Sequence, residues 1–324
     1  MMNSLTFMLI FISASVCLAQ PTKGTRPPII DVHLHAHPVA GMAPPGEPVI
    51  ANVQNFLPFT TLPKAFNGSV AGLLEGRDTL TGARTDDELM ERTLACLRRY
   101  NITAVASGDL AGRWKSNAPD RIILTSSLLD TSALRAVIKE GKIKVLGEYG
   151  FQYMGLAPTD SVPMAVFAIA EETGLPIGIH MGPGPPGTPF VAAPKYRARL
   201  SSPLGLEEVL VRYPMLRLYV MHAGWPMLDE MVHMLYTYPQ LYVDIGVIDW
   251  VLPRKEFYRY LQALVEAGFG KRIMFGSDQM NWPDAIPVAI ANIESAPFLS
   301  AEQKRDILYN NAVHFLRIDS LERK

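Results

Sequence analysis

Cysteine, net charge and long apolar runs are what this sequence has little of. It carries two cysteines in 324 residues, and 30 basic against 31 acidic side chains give a net charge of −1. With Cys17 in a leader and Cys96 as the other thiol, no intramolecular disulfide can hold the mature fold, so its core must suffice. The balanced charge offers no positive field to a polyanion, which argues against nucleic acid as a partner. One stretch lacks charge altogether, residues 1–19, MMNSLTFMLIFISASVCLA, apolar from Leu5 to Val16 and small at Cys17 and Ala19. That run is short for a bilayer span of about 20 residues. It reads as a signal peptide cleaved after Ala19, which implies export to the periplasm or medium with no membrane span afterwards. An uncleaved anchor is the alternative, and lipid attachment at Cys17 is disfavoured by bulky Val16. Residues 20–324 are then one domain.

From Pro28 onward, eight short apolar runs alternate with helical patterns. The runs cover 28–35, 102–108, 121–127, 142–150, 175–182, 216–224, 241–247 and 272–278. Thr85 and Glu88 have capping-box spacing ahead of Met90, Leu94 and Leu97, and Ser300 and Gln303 have it ahead of Leu308 and Phe315. A helix over 162–172, with Val162, Ala165, Val166, Ile169 and Ala170 on one face, stops at Gly174. Eight strands alternating with helices predict an α/β fold, a (β/α)8 TIM barrel. Residues 38–84, rich in proline and glycine, separate the first strand from its helix. Phe56, Leu57, Phe59, Leu62 and Phe66 suggest a lid over the barrel mouth rather than a linker. Cys96, within a helical pattern, is expected to be a buried structural thiol.

His33 and His35 alternate on the first strand, so both side chains can face the barrel interior. Alone, such a pair is weak evidence of metal binding. Glu148, His180, His222 and Asp278, however, close the fourth, fifth, sixth and eighth runs. Strand C-termini converge on one face of a barrel, where six metal-competent side chains then become neighbours. A carboxylate at the end of an apolar strand is costly unless paired, hydrogen-bonded or metal-bound, which favours a divalent-metal site. His233 and His314 fall off the apolar stripes and read as surface residues, while His37 is a neighbour of the pair or a plain loop residue.

The motifs DVHLH at 31–35, GEYG at 147–150, IHMG at 179–182, MHAG at 221–224 and FGSD at 275–278, then ILYNNAVHFL at 307–316, resemble the amidohydrolase superfamily of metal-dependent hydrolases. The branch that also contains zinc-dependent decarboxylases is the most similar. The resemblance implies that His33, His35 and Asp278 bind a first metal, that His180 and His222 bind a second, and that Glu148 bridges them. Lys142 and Lys144 sit too early in their strand for the bridging place. Two zinc ions are expected, with Mn, Fe or Co also compatible with the ligand set, and barrels of this family often pair as homodimers.

Metal-activated water with Asp278 as the catalytic proton carrier predicts hydrolysis of an ester, lactone or amide of a small organic substrate. Arg113, Tyr153, Trp225 and Trp282 are the substrate-contact candidates in the loops, alongside Trp114, Tyr149, Phe151, Gln152, Lys195, Asp249, Trp250, Gln279 and Asn281. Non-oxidative decarboxylation on one metal, phosphoester or nucleic-acid cleavage on the same ligands, and a non-catalytic metal-holding binding protein are the rival readings. Asn67-Gly68-Ser69 and Asn101-Ile102-Thr103 are glycosylation acceptors only in a eukaryotic source.

Overall fold

The computed structural model describes residues 26–59 and 71–318. The leader at 1–19, Cys17, Leu62, Phe66 and the Asn67 triplet lie outside the described residues. Each apolar run becomes a strand: β1 (Ile29–His35), β2 (Ile102–Ser107), β3 (Ile122–Ser126), β4 (Ile143–Tyr149), β5 (Ile177–His180), β6 (Leu218–Met221), β7 (Leu241–Asp244) and β8 (Ile273–Met274). They pair in parallel and in chain order. Val32 N donates to Phe275 O at 3.0 Å and Asp278 N to His33 O at 2.7 Å, which brings the eighth strand's end back onto the first. The result is an α/β TIM barrel.

Alternation along the strands sorts side chains into two layers. Ile30, Val32, Val105, Val145, Tyr219, Met221 and Met274 fill the inside, where Tyr309, Ala312 and Phe315 of the last helical segment join them. Residues of opposite parity, such as Ile29, Ala104, Ala106, Leu218 and Val220, pack against the outer helices. The register of β1 against β2 shifts between Asp31 and Leu34. Above that shift, His33 and His35 take the inward direction that Ile30 and Val32 have below it.

Eight helices follow the eight strands: α1 (Asp86–Arg99), α2 (Ala111–Asn117), α3 (Thr131–Lys139), α4 (Ser161–Thr173), α5 (Glu207–Arg212), α6 (Leu228–Thr237), α7 (Arg254–Leu264) and α8 (Ala285–Glu294). Thr85 Oγ1 accepts from Glu88 N at 3.1 Å, but Glu88 Oε2 accepts from Arg84 N, so the predicted box is only half formed. The box at Ser300 and Gln303 is complete. Helix α4 stops at Gly174, whose φ of 65° suits glycine. Val162, expected on its buried face, is exposed, and Pro163 and Phe167 bury instead. Cys96 is half-buried rather than enclosed, with Sγ turned toward Pro283 O. Asn101 donates its side-chain amide to Arg26 O, a bond that competes with glycosylation there.

The 38–84 insertion is more ordered than its composition suggests. Pro48–Ala51 pairs with Asp78–Thr81, and Asn55–Phe56 with Leu74–Glu75, as two antiparallel ribbons. Asn52 N and Val53 N donate to Trp250 O and Val251 O, and Ala83 N donates to Asn281 O. These bonds fasten the flap to the loops that follow β7 and β8. Phe56 and Leu57 are largely exposed, whereas Phe59 meets Phe190, from the loop after β5, edge to face at 6.2 Å. Among the described residues no helix is long and apolar enough to cross a membrane.

Candidate metal centre

At the C-terminal mouth, His33, His35, His180, His222 and Asp278 are buried and Glu148 is nearly so. Asp278 Oδ1 lies 2.8 Å from His35 Nε2 and 3.8 Å from His33 Nε2, and Oδ2 lies 3.9 Å from His222 Nδ1. Glu148 Oε2 is 3.3 Å from His33 Nε2 and 3.4 Å from His35 Nε2. Its other oxygen hydrogen-bonds His180 Nδ1 and lies 3.6 Å from His222 Nε2. All six residues expected as ligands therefore meet. Two of them, His222 and Asp278, hold left-handed backbone (φ 58° and 45°). That conformation costs a non-glycine residue about 1–2 kcal/mol, offset here by the hydrogen bonds from Asp278 N to His33 O and from His222 N to Asp244 Oδ1.

The outward ring nitrogens are engaged. The Gly246 carbonyl can only accept, so His222 donates from Nδ1 to it at 2.9 Å and keeps the Nε2 lone pair inward. His33 Nδ1 is 3.1 Å from the Asp244 carboxylate and His35 Nδ1 is 3.2 Å from Ser107 Oγ. His180 is reversed, with Nε2 at 3.3 Å from Tyr153 Oη and Nδ1 facing the cluster. Imidazoles with one nitrogen fixed from behind and the other converging on two carboxylates fit a divalent cation. The ligand atoms of His33, His35 and Asp278 lie within 4.8 Å of one another, as do those of His33, Glu148 and His222.

Electrostatics follow from this crowding. Burial opposes a charged His33, but Asp278, Asp244 and Glu148 outweigh it and raise its pKa well above the ordinary value. Burial likewise opposes charge on Glu148 and Asp278, yet the histidines hold Glu148 well below and Asp278 below the usual carboxylate range. His180 is lowered by burial and by His222, whereas His222 is raised because Glu148 and Asp278 outweigh burial. Burial and Glu148 push the Tyr153 phenol up. His37 is lowered by burial and by His35, whose ring is 5.4 Å away. His233 and His314 are exposed.

The loop candidates divide. Tyr153 reaches the cluster through His180. Arg113 does not, because α2 turns it outward, half-exposed, to pair with Asp87. Trp225 donates to Glu256 at 3.0 Å, and Trp282, buried, donates to Glu47 O under the flap. Trp114 is wholly enclosed. Gln279 clamps the main chain of His35, accepting from its N at 3.0 Å and donating to its O at 2.6 Å, and Gln152 donates to His180 O. Three residues had no part in the expected ligand set. Asp244 supports His33 and His222 from behind. Asp31 Oδ1 accepts from His33 N and Ser277 N, and burial lifts its carboxyl to about 6. Asp249 is fully buried, and its carboxyl is raised well above the ordinary value by burial and by Asp31, Asp244 and Asp278.

Residues 30–318 match the family model described as amidohydrolase. The chain belongs to the amidohydrolase family. It is thus an enzyme of a metal-dependent group, and its buried ligand cluster is where such a metal fits. Compared with curated proteins, this amidohydrolase has no match. Among solved structures it is similar to a TIM-barrel protein of Bordetella bronchiseptica, with TM-score 0.54 and 16% identity, covering 71% of this chain and 82% of that one. It is also similar to 5-carboxyvanillate decarboxylase of Novosphingobium aromaticivorans complexed with manganese, at 0.52 and 15%, covering 71% and 80%. A third is a candidate 2-pyrone-4,6-dicarboxylic acid hydrolase of Pseudomonas putida, at 0.54 and 13%, covering 90% and 98%. At such identities the likeness of this amidohydrolase to each is one of fold.

Proposed function

We propose that this amidohydrolase is an exported hydrolase that cleaves an ester, lactone or amide bond of a small organic substrate. In this reading His33, His35 and Asp278 hold one divalent ion, His180 and His222 hold a second, and Glu148 serves both. The observation that supports it is the split of Glu148, with one oxygen toward His33 and His35 and the other toward His180 and His222. Bound ions, zinc by preference and Mn, Fe or Co as alternatives, supply Lewis-acid polarisation and a water acidified toward neutral pH. Asp278 takes a proton from the attacking water and returns one to the leaving group. Tyr153, whose hydroxyl lies beside His180, orients the substrate at the mouth.

Metal analysis of the purified chain with an ester, lactone and amide panel tests this. Two ions per chain, falling to one in Glu148→Ala, together with hydrolysis of a panel member, is the expected result. A second reading has one observation in its favour: His33, His35 and Asp278 form a three-ligand set without Glu148. One tightly held ion per chain, unaffected by Glu148→Ala, with release of CO2 from a keto or phenolic acid, replaces hydrolysis by decarboxylation.

A further inference from the structure

Asp244 ends β7 with no exposure to solvent, and its two oxygens serve different ligands. Oδ2 lies 3.1 Å from His33 Nδ1. Oδ1 accepts from His222 N at 3.0 Å and from Gly246 N at 2.9 Å, and the Gly246 carbonyl oxygen in turn accepts a hydrogen bond from His222 Nδ1. One carboxylate thus reaches the side chain of a ligand on β1 and the main chain of a ligand after β6. The space around it is tight. A Cβ at Gly246 would come within 3.0 Å of His33 Nδ1 and 3.3 Å of Asp244 Oδ1, and one at Gly276 within 2.7 Å of His33 Cβ and 3.3 Å of Asp244 Cγ.

We infer that Asp244 is the positioning residue of the metal centre, selecting the His33 tautomer with Oδ2 and fixing the His222 loop with Oδ1. A carboxylate can only accept, so it holds the proton on Nδ1 and leaves the Nε2 lone pair for the ion. The two functions separate by substitution. In Asp244→Asn the amide oxygen can keep the two main-chain N–H groups while the NH2 faces His33 Nδ1. A donor there favours the tautomer protonated on Nε2, which cannot ligate from that nitrogen. In Asp244→Ala both supports go. The inference rests on a metal bound in this cluster but not on how many ions it takes.

The test uses the full chain loaded with cadmium-113 and read by 15N–113Cd coupling on histidine-labelled protein, with chelator competition for affinity. Expected in the wild type is coupling to His33 Nε2, with Nδ1 carrying a hydrogen-bonded proton. Asp244→Asn should lose the His33 coupling and at least tenfold in affinity for the ion held by His33, with coupling to His222 and the melting temperature near wild type. Asp244→Ala should weaken coupling at both histidines. Coupling through His33 Nδ1 in the wild type, or unchanged His33 coupling and affinity in Asp244→Asn, overturns the inference. Absence of cadmium coupling to all four histidines, His33, His35, His180 and His222, overturns the metal reading itself, a different and recognisable failure.

Discussion

The indole nitrogen of Trp282 donates to Glu47 O at 2.7 Å, tying the loop just beyond Asp278 to the flap inserted after β1. Asn281 adds bonds from its side-chain amide to Val39 O and Ala43 O. The flap is therefore fastened to the loop that carries Asp278, and loosening one should be felt in the other.

Trp282→Phe keeps most of the buried ring and deletes the donor. Glu47 O retains a bond from Gly82 N, so the expected stability loss is only about 1 kcal/mol. The Gly46 and Ala83 amides, which bond Ala83 O and Asn281 O, should exchange with deuterium faster, and kcat/KM should fall with metal content unchanged. Hydrogen exchange by mass spectrometry over 38–84 checks this, and exchange identical to wild type counts against the fastening.

Much of this arrangement was legible in the sequence because strand parity and strand ends are local. His33, His35, Glu148, His180, His222 and Asp278 stand where apolar runs finish, and the barrel alone brings those ends together. The supporting groups were harder to see. Asp244 stands in LYVDIGV as one polar residue in an apolar run, and only the adjacency of β7 to β6 and β8 shows what it supports. Arg113 looked like a mouth cation because it follows β2, but the turn from Ala111 sends it outward. The flap ribbons were hidden since Pro48–Ala51 meets Asp78–Thr81 across a long proline- and glycine-rich stretch, with no periodicity linking the two.

Asp31 gives a pH signature in the metal-free protein. Its carboxyl is lifted from 3.8 to about 6 by burial, so the folded chain binds a proton between these values that the unfolded chain has released. Stability from this group is present below 3.8 and is lost as pH rises through 6, a difference of about 3 kcal/mol by pH 7. Asp31→Asn keeps an acceptor for His33 N and Ser277 N and does not titrate. In the presence of chelator, the variant should gain on the wild type as pH rises from 4.5 to 7.5. Urea unfolding across that range measures the gap, and a gap that stays constant removes Asp31 as its source.

Gly276→Ala should disturb the candidate centre without altering any of the six residues that form it. The added Cβ would sit 2.7 Å from His33 Cβ, closer than packing allows, so His33 must shift at a cost of about 1–3 kcal/mol. Metal affinity by chelator competition should fall about tenfold or more. Gly112, with nothing within 4 Å of its added Cβ, lies in α2 and supplies the control. Gly112→Ala should leave affinity unchanged and stabilise by about 0.5–1 kcal/mol, and equal affinity losses in the two variants would point to a global effect instead.

Asp278→Asn separates holding from proton transfer. Asp278 is placed by its own main chain, whose N donates to His33 O at 2.7 Å, so the substitution should leave the loop where it is. An amide retains one oxygen near His35 Nε2, now 2.8 Å from Asp278 Oδ1, and with it part of the ligand function. It cannot accept and return a proton at neutral pH, and a positioned acid or base is worth about 10²–10⁴-fold in rate. Turnover on the best panel substrate should drop by that factor, while metal content measured on the same preparation stays above half of wild type. Turnover within about threefold of wild type would assign the proton to another group. Parallel loss of metal and rate would make Asp278 a ligand alone.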